Sequence, residues 1–105
     1  MITNLNTKYY YLINSELKMS RGKAAAQVSH VAMQLSEVYH CEIGRAIVLK
    51  ATEKEMNIIR SALMQPVMFI KDAGFTEVPK GSLTCIGFID NAQVQEFVKD
   101  LKLYT

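Results

Sequence analysis

A basic turn at the start of a helix is the first place in this sequence where chemistry is expected. Ser20 is a good N-cap, and the first turn of the helix that follows holds Arg21 and Lys23 but no carboxylate. Cations at this end of a helix oppose its dipole, at a cost of a few tenths to about 1 kcal/mol each. A bound anion would offset that cost, because backbone N–H groups and Lys23 would point at it and Gly22 would let it approach. The alternative is a solvated basic turn.

Polar side chains continue from this turn along one ridge of the same helix. Lys23, Gln27, His30, Gln34 and Glu37 are spaced by alternating four and three residues, so they line one face. They could all face one groove, where Gln27 and His30 would contact a substrate. The alternative is the solvated side of an amphipathic helix, which we favour for Gln34 and Glu37. A catalytic His30 is the less common interpretation, since helical histidines are more often structural.

Length and composition indicate a small globular protein. The 105 residues predict one domain, residues 1–105, in which half of the residues are hydrophobic and the net charge is +2. Contact with a nucleic acid would therefore need clustered cations. Cys41 and Cys85 follow no metal-ligand spacing, and we expect neither a metal nor a cofactor. The opening residues lack a signal-peptide pattern and no apolar run could span a membrane, so a cytoplasmic location without membrane contact is expected.

Hydrophobic patterning predicts the strands that would hold the basic turn in place. Four short runs are rich in apolar and β-branched residues, and they occupy residues 8–13, 45–51, 67–71 and 83–89. The last two should pair antiparallel, since no crossover helix separates them.

Helical periodicity and capping residues predict three helices between these strands. The first runs from the Ser20 cap to about His40, with Gly44 as a plausible stop. The second opens on a capping box and ends before Pro66, and the third follows a cap at residue 90 or 91. The order β-α-β-α-β-β-α indicates an α/β protein, a three-layer α/β/α arrangement with a mixed four-stranded sheet.

In such a sheet, two segments that are distant in sequence should meet. If the first three strands are parallel, their carboxyl ends share one edge, outside which ligands of open α/β sheets bind. The basic turn leaves the first strand there, and the loop that begins at Asp72 leaves the third. This brings Lys23 near Asp72 and Thr76 and predicts a hydrolytic or phosphate site. The alternative for Asp72 and Thr76 is local turn chemistry, with the carboxylate capping backbone N–H groups.

Five short motifs follow one another along nearly the whole chain. They are Leu17-Lys18-Met19, Gly22-Lys23-x-Ala25-Ala26-Gln27-x-x-His30, Asp72-Ala73-Gly74-x-Thr76, Gly81-Ser82-x-Thr84 and Leu101-Lys102-Leu103-Tyr104. As an ordered set they resemble the type II peptidyl-tRNA hydrolase family of archaea and eukaryotes. The resemblance implies that family's fold, tRNA as a partner, and cleavage of the ester that joins a peptide to the 3′ end of tRNA.

The resemblance also implies roles for individual residues. Lys23, Asp72 and Thr76 correspond to the residues usually implicated in catalysis. Asp72 would orient or deprotonate a water with Thr76 in support, while Lys23 and the helix N-terminus would stabilise negative charge. Other characteristic positions, which line or support the site, are Lys18, His30, Ser82 and Thr84. The predicted substrate-binding set is completed by Arg21, Gln27 and Phe75.

Three departures from the family's pattern bear on the substrate. Asn14 and Phe75 stand where the family usually has arginines, and residues 39–45 replace a longer helical insertion. Phe75 could stack on the terminal adenine of tRNA or anchor its loop in the core. Four cations could replace some of the lost charge: Lys8, Arg21, Lys71 and Lys80.

Alternative functions stay open at this point. The chain could be a family member that keeps the fold and serves as an RNA-binding or protein-interaction module. It could also hydrolyse another acylated RNA or a small ester. Two copies could associate as a homodimer.

Overall fold

Five strands form a mixed sheet that carries helices on both faces. The structure, a computed structural model, describes residues 3–74 and 77–105. Its elements, in chain order, are β1 (Thr3–Asn14), α1 (Arg21–Tyr39), β2 (Ile43–Ala51), α2 (Glu53–Ala62), β3 (Met68–Lys71), β4 (Leu83–Ile89), α3 (Ala92–Val98) and β5 (Lys102–Leu103).

The direction of the strands decides where loops converge. The strand order is β3-β4-β1-β2-β5, with β1 parallel to β2 and β4 antiparallel to both β1 and β3. The first three strands therefore run in the same direction, and their carboxyl ends lie at one edge as predicted. The predicted antiparallel pairing of β3 with β4 is also confirmed.

The sheet differs from the prediction by one short strand. The α/β class is confirmed, but the four-stranded count is wrong because β5 pairs antiparallel with β2. Leu103 lies opposite Leu49, and the Tyr104 N–H donates to the Val48 carbonyl at 3.0 Å. A strand of two residues is too short to show an alternating pattern of apolar and polar side chains. It is a strand only because it pairs with β2.

Successive side chains of β1 point to opposite faces of the sheet, which divides the core into two layers. Tyr9, Tyr11 and Ile13 pack with α1 on one face, whereas Tyr10 and Leu12 pack with α2 and α3 on the other. This is the period of two that a strand imposes when both of its faces are buried. The predicted three-layer arrangement follows from it.

Helix α1 begins and ends where predicted, but the residue that stops it is not the predicted Gly44. The Ser20 Oγ accepts from the Lys23 N–H at 3.1 Å, which confirms the N-cap. The helix ends at His40, which is left-handed with φ of 52° and donates its N–H to the Ser36 carbonyl. Gly44 is therefore not the stop, because it already lies in β2.

A glycine in β4 lets α1 approach the sheet closely. A Cβ at Gly87 would lie 2.5 Å from the Val31 Cγ1, so any larger residue would push the helix outward. The middle of α1, at Val31, therefore lies close against β4.

Candidate active site

An ion pair joins the two segments that the predicted strand topology brings together. Lys23 in the first turn of α1 donates from its Nζ to the Oδ1 of Asp72, the residue after β3. Their side chains are 14% and 5% exposed, respectively, so the pair is largely shielded from solvent. The predicted proximity of Lys23 and Asp72 is confirmed, across 49 positions of sequence.

Asp72 is also held by its own loop. Its second carboxylate oxygen, Oδ2, accepts from the Gly74 N–H at 2.7 Å, and its backbone bonds to Ser82 and Gly81. The carboxylate thus caps the loop, as the turn-chemistry alternative predicts, and pairs with a cation at once. The hydrogen bond from Lys23 and then that from Gly74 lower the pKa of Asp72 below its ordinary value. Asp72 is consequently an anion at neutral pH.

A second carboxylate, not predicted from the sequence, reaches the start of the same helix. The Ser20 N–H donates to the Oε2 of Glu77 at 2.7 Å, across 57 positions of sequence. Hydrogen bonds from Ser20 are the main reason that the pKa of Glu77 is lowered. Helix α1 has no acid in its own first turn, and the loop after β3 supplies two. Carboxylates of the protein itself thus compensate the positive charge at the start of α1.

Two predicted binding residues are buried and serve to hold elements together. The Gln27 Nε2 donates to the Thr84 Oγ1 at 2.8 Å, and that hydroxyl donates to the Ile70 carbonyl at 3.2 Å. Gln27 is 4% exposed and Thr84 is fully buried. This chain of hydrogen bonds ties α1 to β3 and β4 just below the ion pair, so Thr84 supports the site from beneath.

A cleft of about 270 Å³ opens beside the ion pair, between α1 and the end of β3. We call it the site cleft, and its lining residues are Lys23, Gln27, His30, Ile70, Lys71, Asp72 and Ala73. His30 is exposed on its rim, as the polar ridge of α1 predicts. Four predicted site residues, from two distant segments, therefore share one concave surface.

The other predicted site residues lie near this cleft, on the opposite flank of α1, or outside the described residues. Lys18 is exposed in the segment before α1, and the Ser82 hydroxyl donates to the Pro79 carbonyl inside the loop. Arg21 lines a different cavity, on the opposite flank of α1. Phe75 and Thr76 lie outside the described residues, so their predicted roles stay predictions.

Asn14, which stands where the family usually has an arginine, has a structural role. It is 2% exposed, its Nδ2 donates to the Leu83 carbonyl at 2.9 Å, and its Oδ1 accepts from the Glu16 N–H. This amide fixes the end of β1 to the start of β4 beneath the site. A neutral side chain with these partners adds no charge for holding a phosphate.

Fold and site together define the class of this protein. A shielded carboxylate–ammonium pair at a helix N-terminus, facing a cleft at the carboxyl edge of an α/β sheet, is suited to activating water and stabilising an oxyanion. Within the described residues, His, Cys, Asp and Glu form no group of three that could hold a metal ion. Nor does that part of the chain contain a helix long and apolar enough to cross a membrane. The class is an α/β protein with a candidate hydrolytic site.

Comparison with known proteins assigns the family. The family model described as peptidyl-tRNA hydrolase PTH2 matches residues 7–104. The chain is 30% identical to the peptidyl-tRNA hydrolase of Staphylothermus marinus, in an alignment that covers 98% of this chain and 99% of that protein. It is 35% identical to the peptidyl-tRNA hydrolase of Methanococcus maripaludis, with 88% and 94% covered. The chain belongs to the peptidyl-tRNA hydrolase PTH2 family.

Glu77 provides a direct test of how the loop is held against α1. Glu77→Ala should lower kcat several-fold with little change in KM, because the loop that carries Asp72 loses its tie to Ser20. Glu77→Gln keeps an acceptor oxygen and should retain most of the activity. Steady-state kinetics of both variants make the comparison, and a Glu77→Ala enzyme with normal kcat would show that the tie is dispensable.

Proposed function

We propose that this protein hydrolyses the ester bond of peptidyl-tRNA and releases the peptide and free tRNA. The observation that carries the proposal is the ion pair between Lys23 and Asp72, which lines the site cleft. Membership of the family and the relatives named peptidyl-tRNA hydrolase give the substrate. The enzyme is accordingly a carboxylic ester hydrolase.

The proposed reaction assigns one step to each charged group. Asp72, ionised at neutral pH, accepts a proton from a water whose oxygen adds to the ester carbonyl carbon. Lys23 and the N–H groups at the start of α1 stabilise the negative charge that develops on the carbonyl oxygen. Collapse breaks the bond to the ribose oxygen, which takes the proton held by Asp72 as it leaves, so the carboxylate is regenerated. Thr76, matching the family's position, would support the water.

The tRNA partner would be held by scattered cations rather than by a basic surface. The net charge is only +2, and Lys18 and Lys80 are exposed near the site, with Lys71 lining the site cleft. Each phosphate contact that they make would steepen the salt dependence of binding. A cytoplasmic location fits a tRNA substrate. Both it and a homodimer are predictions, the latter checked by sedimentation.

Incubation with N-acetyl-aminoacyl-tRNA tests the proposal. The expected result is release of free tRNA at a rate proportional to the enzyme concentration. A parallel reaction with added chelator detects any requirement for a metal. Binding of tRNA without release would contradict hydrolysis and favour an RNA-binding module. Release from a small acyl ester but not from the acylated tRNA would contradict the tRNA assignment.

Phe75 is the position at which contact with RNA can be tested by gain of function. Phe75→Arg should tighten tRNA binding and raise the salt slope by about one, because arginine can grip a phosphate. Phe75→Leu should weaken binding only if the ring stacks on a base. Binding titrations at several salt concentrations measure both effects. Lower stability of Phe75→Arg with unchanged RNA affinity would instead show that the ring anchors the loop.

A further inference from the structure

A second, larger cleft flanks the other side of α1. Its volume is about 510 Å³, within the range of small-molecule sites. We call it the apolar cleft, and six of its lining residues are Ile13, Ala24, Ala25, Val28, Val48 and Tyr104. Arg21 carries the one charged side chain among the described residues that line it.

The packing of α1 leaves this cleft open. The helix lies mainly over β4 and β3, so the neighbouring part of β2 is not roofed by it. Tyr104, which follows β5, forms the far wall, where its N–H is bonded to the Val48 carbonyl. The floor is thus built from sheet residues and the near wall from Ala25 and Val28, which are small or apolar.

The two clefts contrast in chemistry. The site cleft is lined by Lys23, Lys71 and the ionised Asp72, whereas the apolar cleft offers mostly hydrocarbon surface. A peptidyl-tRNA has two parts with the same contrast, since one side of its ester is a polyanion and the other is a peptide. A phosphate in the apolar cleft would have Arg21 as its one charged partner among the described lining residues and would otherwise lie against hydrocarbon such as Ile13 and Val48, whereas apolar side chains gain by burial there.

The distance between the clefts fits a short peptide. Side chains two positions apart point about 200° apart around a helix, so Lys23 and Ala25 lie on opposite flanks of α1. A helix with its side chains is about 10–12 Å across. An extended chain covers about 3.3–3.6 Å per residue, so about three residues would pass from the ester over the start of α1.

We propose that the apolar cleft binds an apolar side chain of the peptidyl group, at about the third residue from the ester. This inference rests on the proposed function and adds a preference among peptidyl-tRNAs. Longer peptidyl groups with an apolar third residue are better substrates than polar ones. Groups of a single residue do not reach the cleft.

Two matched substrates test this preference. N-acetyl-Leu-Gly-Gly-tRNA and N-acetyl-Asn-Gly-Gly-tRNA differ only in a nearly isosteric third side chain. We expect kcat/KM to be about tenfold higher for the leucine substrate. Equal values, with both substrates hydrolysed, would overturn the inference while leaving the proposed function intact. Hydrolysis of neither substrate would overturn the proposed function instead.

Neighbouring residues of α1 supply matched variants. Ala25→Trp should fill the apolar cleft and lower kcat/KM for the leucine substrate to the value of the asparagine substrate. Ala26 is exposed and does not line either cleft, so Ala26→Trp should keep the tenfold preference. Preservation of the preference in Ala25→Trp would contradict the assignment.

A binding measurement gives a readout that does not depend on activity. Addition of N-acetyl-Leu-Gly-Gly amide should shift the methyl NMR signals of Val28 and Val48, and Ala25→Trp should abolish the shifts. The asparagine analogue should shift them far less. Shifts caused by adenosine monophosphate but not by the leucine peptide would assign the cleft to the RNA and overturn the inference.

Discussion

Replacing Lys23 with alanine should lower kcat for peptidyl-tRNA hydrolysis by about 10²-fold or more. That is the scale of losing one electrostatic stabiliser of a developing oxyanion. The ammonium group is held beside Asp72 in a largely shielded site, where water cannot replace it fully. Initial rates at saturating substrate measure the effect. Lys54→Ala is the matched control, because Lys54 is exposed on α2, on the far face of the sheet.

The Lys23→Ala variant also distinguishes an effect on catalysis from an effect on stability. Sequence alone predicts that losing Lys23 is neutral for stability or mildly stabilising, because the cation opposes the dipole of α1. The ion pair reverses that expectation, since Asp72 would keep its charge without its partner. Lys23→Ala should therefore melt at a lower temperature. Adding Asp72→Asn, which removes the unpaired charge but keeps an acceptor for the Gly74 N–H, should recover part of the loss without restoring activity. Unchanged kcat in Lys23→Ala would remove this residue from the mechanism.

Local chemistry explains why most of the fold could be predicted from the sequence. The capping box that opens α2 is present, with Thr52 and Glu55 bonded reciprocally, because both partners lie within four residues. Strand β4 has its predicted bounds, because a fully buried strand is a continuous apolar run between turn residues. Such signals need no knowledge of distant contacts.

Elements that depend on distant contacts could not be predicted. The two residues of β5 are a strand only because β2 offers an unpaired edge, and neither has a pattern of its own. The end of α1 near His40 is predicted by its helical periodicity, but the residue that stops it is not, because propensity does not favour a left-handed residue other than glycine. For β5, pairing with β2 decides the outcome.

The candidate site likewise has one feature that the sequence predicts and one that it does not. Parallel strands bring their carboxyl ends to one edge, so the meeting of Lys23 and Asp72 follows from topology. The bond from Ser20 to Glu77 does not follow from it, because it depends on the path of a loop. A signal for it exists in the sequence, since a first turn without acids implies that a carboxylate comes from elsewhere. The sequence does not specify which carboxylate of the chain reaches the start of α1.

Asp72→Asn should lower kcat by about 10²-fold or more, because it removes the proposed base while keeping the shape of the side chain. The asparagine oxygen can still accept from the Gly74 N–H, so the loop should stay folded. KM should change less than kcat, since Lys18, Lys71 and the other cations are untouched. A nearly normal kcat would show instead that Asp72 acts only as the cap of its loop.

The pH dependence of the rate completes this test. Lys23 and Gly74 hold the pKa of Asp72 below its ordinary value of about 3.9, so the carboxylate is charged from neutral pH down to that value. Its contribution to stability is present above the ordinary pKa and is lost as pH falls through the lowered, folded-state pKa. Wild-type activity should therefore show no loss from Asp72 between about pH 8 and 4, and should fall below that range as the base is protonated.

The residual rate of Asp72→Asn should lack this loss of activity at acid pH, with His30→Asn measured alongside because His30 lines the same cleft. Circular dichroism at each pH separates loss of the base from unfolding, and an acid limb that persists in folded Asp72→Asn would assign the base to another residue.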